Sequence, residues 1–450
     1  MKTDKLFNAT YSFLIGFVLI MLGIIILLGR KWLYVNVVDL FILAIFILSL
    51  RQFLNYFIGK EKAKKINFIR SFINWLFCII SSIFKDIPLS ILPIVFGLYL
   101  FLNSVIKLIN GVIYFKEKAN GYLTELTVGF IYLIIAIPII FTPIKSIDIV
   151  LVILGIYILL LGINYLLDFI SSVIPIHFKN KLKRHIRIST PAVLQAIIPY
   201  TVLKEINYLI DKENIDKPFV YEEKQEDIEP DIEVFIHISN RGYNRLGHMD
   251  ICYNGEIIAY GGYDDDSLRL FSAIADGVLF TCSREKYIPF CIEHSKKTLF
   301  AFGLKLTEKQ KESIEKTIND LYIDTYPWYS PYEKALANNK TKKKINKNDY
   351  DDYASRLYQT TQAKFYKFKK GKFKKFFVVG TSCCDLADHI IGKSGIDLLK
   401  MYGVISPGAY YEYLNREFYK KNSMVVSRKI YNSKNVDKKK VKEIFKGFSR

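Results

Sequence analysis

The sequence predicts a six-span helical membrane bundle followed by an α+β domain built on an antiparallel sheet. Three observations carry this. The long apolar runs are confined to the first 175 residues, and the remainder is charged and rich in Lys, Tyr and Phe. Most of those runs reach the ~18–20 residues needed to cross a hydrocarbon core. From about Asp231 the apolar spacing changes to period two, with strands and helices mixed but no βαβ alternation.

The six apolar segments are Tyr11–Leu28, Leu33–Leu50, Phe68–Phe84, Ile87–Ile109, Glu125–Phe141 and Ile147–Ile170. The first ends in Gly29-Arg30-Lys31 rather than a small-residue cleavage site, so it reads as a span and not a signal peptide. Basic residues set the orientation. Lys2 and Lys5 precede the first span. Lys60, Lys62, Lys64, Lys65 and Arg70 follow the second, Lys116 and Lys118 the fourth, and Lys179, Lys181, Lys183, Arg184 and Arg187 the sixth. The opposite loops are poorer in charge (Lys85 and Asp86; Lys145), though Arg30 and Lys31 dissent. The expectation is a multi-pass cell-membrane protein with both termini cytoplasmic.

The membrane half repeats itself. Leu43–Phe57, Phe96–Ile109 and Leu154–Leu167 align, with a small residue (Ala44, Gly97 or Gly155) after a large one in each. Small residues let helix backbones approach in lipid, so three helical hairpins are expected. Charge inside the spans is scarce. Arg51, Lys107 and Asp168 fall at span ends, which disfavours a transporter. Three such hairpins resemble the HdeD-like (acid-resistance) membrane family. That resemblance implies a fold and no mechanism.

Boundaries follow from composition: a membrane domain at 1–175, a juxtamembrane segment at 176–230, a soluble domain at 231–422 and a basic tail at 423–450. Within the second, Thr190–Asp211 reads as an interfacial or packed helix, and EEKQEDIEPDIE as an acidic linker. The net charge of +20 fits the lipid bilayer and its anionic headgroups better than nucleic acid, which is not an expected partner.

In the soluble domain, IEVFIHIS reads as a strand. HMDICYNGEIIAYGGYD reads as a hairpin about Asn254-Gly255. Leu304–Leu321 reads as a polar-faced helix, and KFYKFKKGKFKKFFVVG as a second hairpin with one basic face. CDLADHII reads as a helix, as does the segment after SPG. Six cysteines in a cytoplasmic setting stay reduced: Cys78, Cys252, Cys282, Cys291, Cys383 and Cys384. Two are adjacent at the start of the CDLADHII helix, where they can be core residues, metal ligands, a redox pair or a nucleophile. His389 lies five or six residues on and faces away from both. Cys291 and His294 form a lone CxxH with no second pair, so no metal or cofactor is expected. His237 reads as structural. His248, after Gly247 at a strand start, is the best partner for a thiol. A thiolate is favoured at a helix N-terminus, where backbone N–H groups can also meet an oxyanion.

GHMDI, NGEIIAYG, SCCDLADHI and ISPGAYYEYL, in that order, resemble the circularly permuted papain-like superfamily (permuted NlpC-type), which includes the lecithin:retinol acyltransferase-like enzymes. Gly247, His248 and Ile251 match its His motif. Cys383 matches its nucleophile, with Ser382 before it, Cys384 in a Ser place, and Leu386 and Ala387 beyond. The resemblance implies a permuted papain-like fold over roughly 231–420 and Cys–His nucleophilic catalysis. Its third polar residue, on the strand after the His, falls near Ala259. Asp264 and Tyr260 are the nearest choices. The expected function is a membrane-anchored cytoplasmic cysteine hydrolase or acyltransferase acting on an amide or ester, a lipid-linked one included. The alternative is a non-catalytic sensor or scaffold whose cytoplasmic domain binds a partner or lipid.

Overall fold

The computed structural model describes residues 2–58, 61–173, 219–224, 228–238, 247–294, 298–338, 346–392, 406–419 and 423–432. The helix expected at Thr190–Asp211 lies outside them, as does the end of the basic tail. The chain divides into two compact units. One comprises Ile15–Leu108 with Leu126–Ile163. The other comprises Met1–Leu14, Ile109–Glu125 and Asn164–Arg450.

The apolar region forms α1 (Lys2–Ile58), α2 (Glu61–Ile83), α3 (Asp86–Lys116), α4 (Tyr122–Phe141) and α5 (Ile147–Val173). Among the described residues four helical stretches are long and apolar enough to cross a membrane, and Phe68–Ile83 of α2 is a shorter apolar helix. Two of the expected spans are merged in α1. Its 42-residue apolar stretch would measure about 63 Å if straight, twice the ~30 Å of a hydrocarbon core. It is broken at Arg30, whose φ of 37° and ψ of −132° are non-helical. The Arg30 side chain donates to Leu27 O at 3.2 Å, capping a carbonyl of the first half.

The aligned small residues sit where helices touch. A Cβ added at Gly97 of α3 would come within 2.8 Å of Ile140 on α4. One at Gly155 of α5 would come within 2.8 Å of Leu27 in the first half of α1. In the second half of α1, near Ala44, Ile42 O accepts from Cys78 Sγ of α2 at 3.6 Å. The second helix of each repeat therefore packs on the first helix of the next, and the third closes on the first. Gly155→Leu is expected to cost roughly 1–3 kcal/mol by overpacking. Thermal unfolding in detergent reads this as a lower midpoint, and an unchanged midpoint would mean the helices do not meet there.

The larger unit holds a nine-stranded antiparallel sheet in the order β1-β11-β7-β2-β3-β4-β6-β9-β8. The strands are β1 (Phe219–Lys224), β2 (Ile232–Ile238), β3 (His248–Tyr253), β4 (Glu256–Gly261), β6 (Val278–Ser283), β7 (Thr298–Leu304), β8 (Thr325–Trp328), β9 (Lys364–Phe368) and β11 (Val425–Asn432). β5 (Ile274–Asp276) and β10 (Lys375–Phe377) pair separately. The helices are α6 (Arg284–Pro289), α7 (Glu308–Ile323), α8 (Pro331–Asn338), α9 (Tyr353–Thr361), α10 (Cys383–Ile391) and α11 (Pro407–Phe418). The β3–β4 hairpin turns at Asn254-Gly255 as expected, with φ of 50° and 76°. Such values suit Asn and Gly in a two-residue turn. Alternation splits the core. Val234, Ile236, Met249 and Ile251 pack with α7, α10 and α11, whereas Phe235, Cys252 and Ile257 pack with α6 and α9.

Three expectations are corrected. First, β9 and β10 do not form a hairpin. Gly371 (φ 90°) opens a short 3₁₀ turn at Lys372–Lys374, and β10 leaves for β5. Much of the basic face is also paired with acids. Lys367 meets Asp264 at 2.5 Å and Asp276 at 2.8 Å, Lys375 meets Asp276 at 2.5 Å, Lys372 meets Asp385 at 3.0 Å, and Lys374 meets Glu117 at 2.5 Å. Second, the basic tail contains a sheet strand, β11, and the linker region contains its neighbour, β1. Glu223 stands opposite Arg428 and Glu222 opposite Lys429, at 2.6 and 3.2 Å. Cross-strand opposite charges of this kind favour pairing. Third, the polar-faced helix begins at Glu308, because Leu304 belongs to β7 and Thr307 caps the helix with Gln310.

Candidate functional site

His248 opens β3, after Gly247 at φ 86°. A Cβ at Gly247 would lie 2.9 Å from Pro407 Cβ and 3.2 Å from His237 O, so glycine there lets the chain pass close to the start of α11. Side chains two apart on a strand share a face, which places Asp250 beside His248. His237 of β2 is the register partner of His248 and completes the group. Asp250 Oδ1 lies 2.8 Å from His248 Nε2, and its Oδ2 lies 2.6 Å from His237 Nε2. The Tyr287 hydroxyl donates to Oδ2 at 2.7 Å. Asp250 and His237 are each 1% exposed, so the carboxylate is taken from water but surrounded by donors. The His248 side chain is 17% exposed. Its Nε2 also meets the Tyr263 hydroxyl at 3.0 Å.

α10 delivers the thiols. Ser382 is its N-cap, with an extended backbone, and the Ser382 N–H donates to Asp385 Oδ2 at 3.3 Å. Cys383 is therefore the first residue of the helix, beside N–H groups that lack intrahelical acceptors. Its thiol faces His248 and the Met249 N–H, both of which act on its charge. Cys384 lies behind it, 1% exposed.

The charges divide between these groups. A hydrogen bond from Cys384 is the largest influence on Cys383. Burial opposes it, but the positive His248 and the Met249 N–H act with it, and the Cys383 thiol is held well below its usual range. Cys384 moves the other way, raised by burial and by the neighbouring thiolate. Burial alone would lower His248, but the charges of Asp250 and Cys383 outweigh it and raise it to about 10. Burial would likewise raise Asp250, yet His248 and then His237 hold it well below the carboxylate range. Cys252 is the contrast: burial pushes it up to about 12. Burial raises Cys282 and Cys384 as well, whereas Cys383 is lowered, the direction that favours a reactive thiolate.

The sequence-derived residues fall as follows. Cys383, His248, Ser382 and Cys384 come together. Asp264 is on Lys367, and the Tyr260 hydroxyl donates to Phe373 O at 2.9 Å; neither reaches His248. The group orienting His248 is Asp250, on the same strand. Its signal in the sequence was the His-x-Asp spacing in HMD, which period two converts into adjacency. His389 is exposed on α10, edge-on to Phe373 at 5.8 Å. Among the described residues no cluster of His, Cys, Asp and Glu is arranged to hold a metal. In comparisons with known proteins, no family model, no curated protein and no solved structure matches this chain.

Proposed function

We propose that this chain is a multi-pass membrane protein with cytoplasmic termini, whose sheet domain is a cysteine acyl hydrolase or acyltransferase of the permuted papain-like kind. One observation carries the reading: Cys383, the first residue of a helix, is buried beside a His248 whose Nε2 lies 2.8 Å from the buried Asp250 carboxylate. Dividing α1 at Arg30 and counting α2 gives six crossings, an even number that returns both termini to one side.

The chemistry follows from the geometry. The Cys383 thiolate attacks the carbonyl carbon of an ester or amide, forming a C–S bond and a tetrahedral oxyanion. The first N–H groups of α10 are placed to receive that oxyanion. The C–O or C–N bond then breaks as protonated His248 gives its proton to the leaving alcohol or amine. Water, or an acceptor alcohol or amine, then loses a proton to His248 and attacks the thioester, releasing the acid or transferred product and the thiolate. Asp250 keeps the imidazole oriented and favours its protonated form.

The test is to trap the acyl-enzyme. Purified full-length protein in detergent, treated with a p-nitrophenyl ester, is expected to gain one hydroxylamine-labile acyl group, mapped by mass spectrometry to Cys383. Cys384→Ser should retain the adduct and Cys383→Ser should lose it. No adduct on Cys383 would sink the reading and leave the sensor or scaffold in its place.

A further inference from the structure

The residues between the candidate site and the helix α3 end carry a second message. Ile109–Glu125, the end of α3 and the turn after it, belong to the same compact unit as the sheet, and the β5–β10 ribbon lies along them. At one end of the ribbon, Gly371 N–H donates to Glu117 O at 2.9 Å, Lys374 meets Glu117, and Gly277 N–H donates to Lys374 O at 2.9 Å. At the other end, Phe377 pairs with Ile274 and Val378 N–H donates to Ala273 O at 3.0 Å. Gly380 there abuts the Asn110 side chain, and the Thr381 hydroxyl donates to Tyr114 OH at 3.1 Å.

These contacts give the ribbon a direction. α3 is one helix from Asp86 to Lys116, so going back from Glu117 to Asn110 moves about 10 Å toward its apolar middle. The ribbon end at Ala273 and Val378, which leads directly into the Cys383 turn, is thus the end beside Asn110 and Tyr114, residues of a helix long and apolar enough to cross a membrane.

That end carries a tight loop. Arg269 and Ile274 close it with paired backbone hydrogen bonds of 2.8 and 3.2 Å. Leu270, Phe271 and Ser272 all adopt left-handed φ values of 49°, 53° and 66°, an unfavourable run for non-glycine residues. The loop thereby presents Leu270 at 55% and Phe271 at 90% exposure. Placing two large apolar side chains at the span end of a ribbon, in a strained and closed loop, suits a hydrocarbon boundary rather than water.

We propose that the Leu270–Phe271 loop inserts into the surface of the lipid bilayer beside the turn carrying Cys383. The proposal rests on the reading of the apolar helices as membrane spans and is independent of the thiol chemistry. It assigns the bilayer as occupant because the helix residues met at this end, Asn110 and Tyr114, themselves belong to a candidate span.

The experiment uses the full chain in phosphatidylcholine vesicles, in a Cys383→Ala background. A nitrobenzoxadiazole label is placed at Phe271→Cys or, as a control, at Ile323→Cys, which is 71% exposed at the end of α7. Lipids brominated on the acyl chains are expected to quench the label at 271 by half or more and to leave that at 323 unchanged. Leu270→Cys provides a second position with the same expectation. A chain that enters vesicles but shows no quenching at 270 or 271 overturns the proposal. Protection that depends on the protein-to-lipid ratio, without bromine quenching, assigns the loop to a second copy and also overturns it. A chain that does not enter vesicles overturns the membrane reading itself.

Discussion

In His248→Gln, alkylation of Cys383 by iodoacetamide at pH 6 is expected to fall by at least roughly tenfold. Glutamine keeps a donor for Asp250 but carries no charge, so the fold is spared while the Coulombic support for the thiolate is lost. An unassisted thiol of pKa about 8.5 is only about 0.3% ionised at pH 6. The more basic thiolate is intrinsically more nucleophilic, with a Brønsted slope of about 0.4–0.5, which returns part of that loss. In the wild type the alkylation rate should already stand on its plateau at neutral pH, because Cys383 is held well below the usual thiol range. In the variant the rise should move up toward that range. Acyl transfer adds a second limb. It needs His248 protonated to release the leaving group, so turnover should decline as pH passes about 10, whereas alkylation should not. A rate at pH 6 that ignores the His248 substitution would separate the thiol from the imidazole and end the proposed mechanism.

Most of the nucleophile side of this arrangement was legible in the sequence, because it depends on local order. A small polar residue, Ser382, precedes an apolar-faced helix, and Gly247-His248 opens a strand. Both signals lie within a few residues. The Asn254-Gly255 turn is local in the same way. What failed was non-local. Asp250 is the exception, since HMD on a period-two strand places the carboxylate beside the imidazole by a local rule, whereas the expected third residue lay on the following strand. His237 read as structural, and only the antiparallel register, which sets it opposite His248, brings it to Asp250. β11 was hidden by its own composition. Ser427 and Arg428 are buried at 1% and 0% exposure, where alternation normally calls for apolar residues. Arg428 is tolerated because Glu223, Asn415 and Tyr419 surround it, and two of those three belong to other strands or helices distant in sequence. The lysines around Gly371 follow the same rule. Alternation suggests one basic face, but the acids that pair with Lys367, Lys370, Lys372, Lys374 and Lys375 (Asp264, Asp276, Asp324, Asp385 and Glu117) come from five separate segments.

Asp250 is also where the largest loss of stability is expected. Its carboxylate accepts from the Tyr287 hydroxyl and lies within ion-pair distance of His248 and His237. Asp250→Ala removes that acceptor and leaves a buried imidazole and a buried phenol without it. Breaking a buried ionic group by deleting one partner costs about 3–5 kcal/mol. For a domain of this size that corresponds to roughly 10 °C in melting temperature. Asp250→Asn should cost less, since the amide oxygen still accepts from Tyr287, but it removes the charge that holds His248 positive. The pH dependence separates charge from shape. The folded pKa of His248 lies above its unfolded value of about 6.5. Its contribution is therefore fully present below pH 6.5 and lost as pH rises through about 10. Asp250 is depressed, so its contribution is present above its unfolded value and lost on acidification. The gap in melting temperature between wild type and Asp250→Asn should then be widest from about pH 5 to 6.5 and narrow steadily toward pH 10. A gap that stays constant over that range would mean that Asp250 acts by packing alone, and that the charge relay from Asp250 through His248 to Cys383 does not operate in the folded protein.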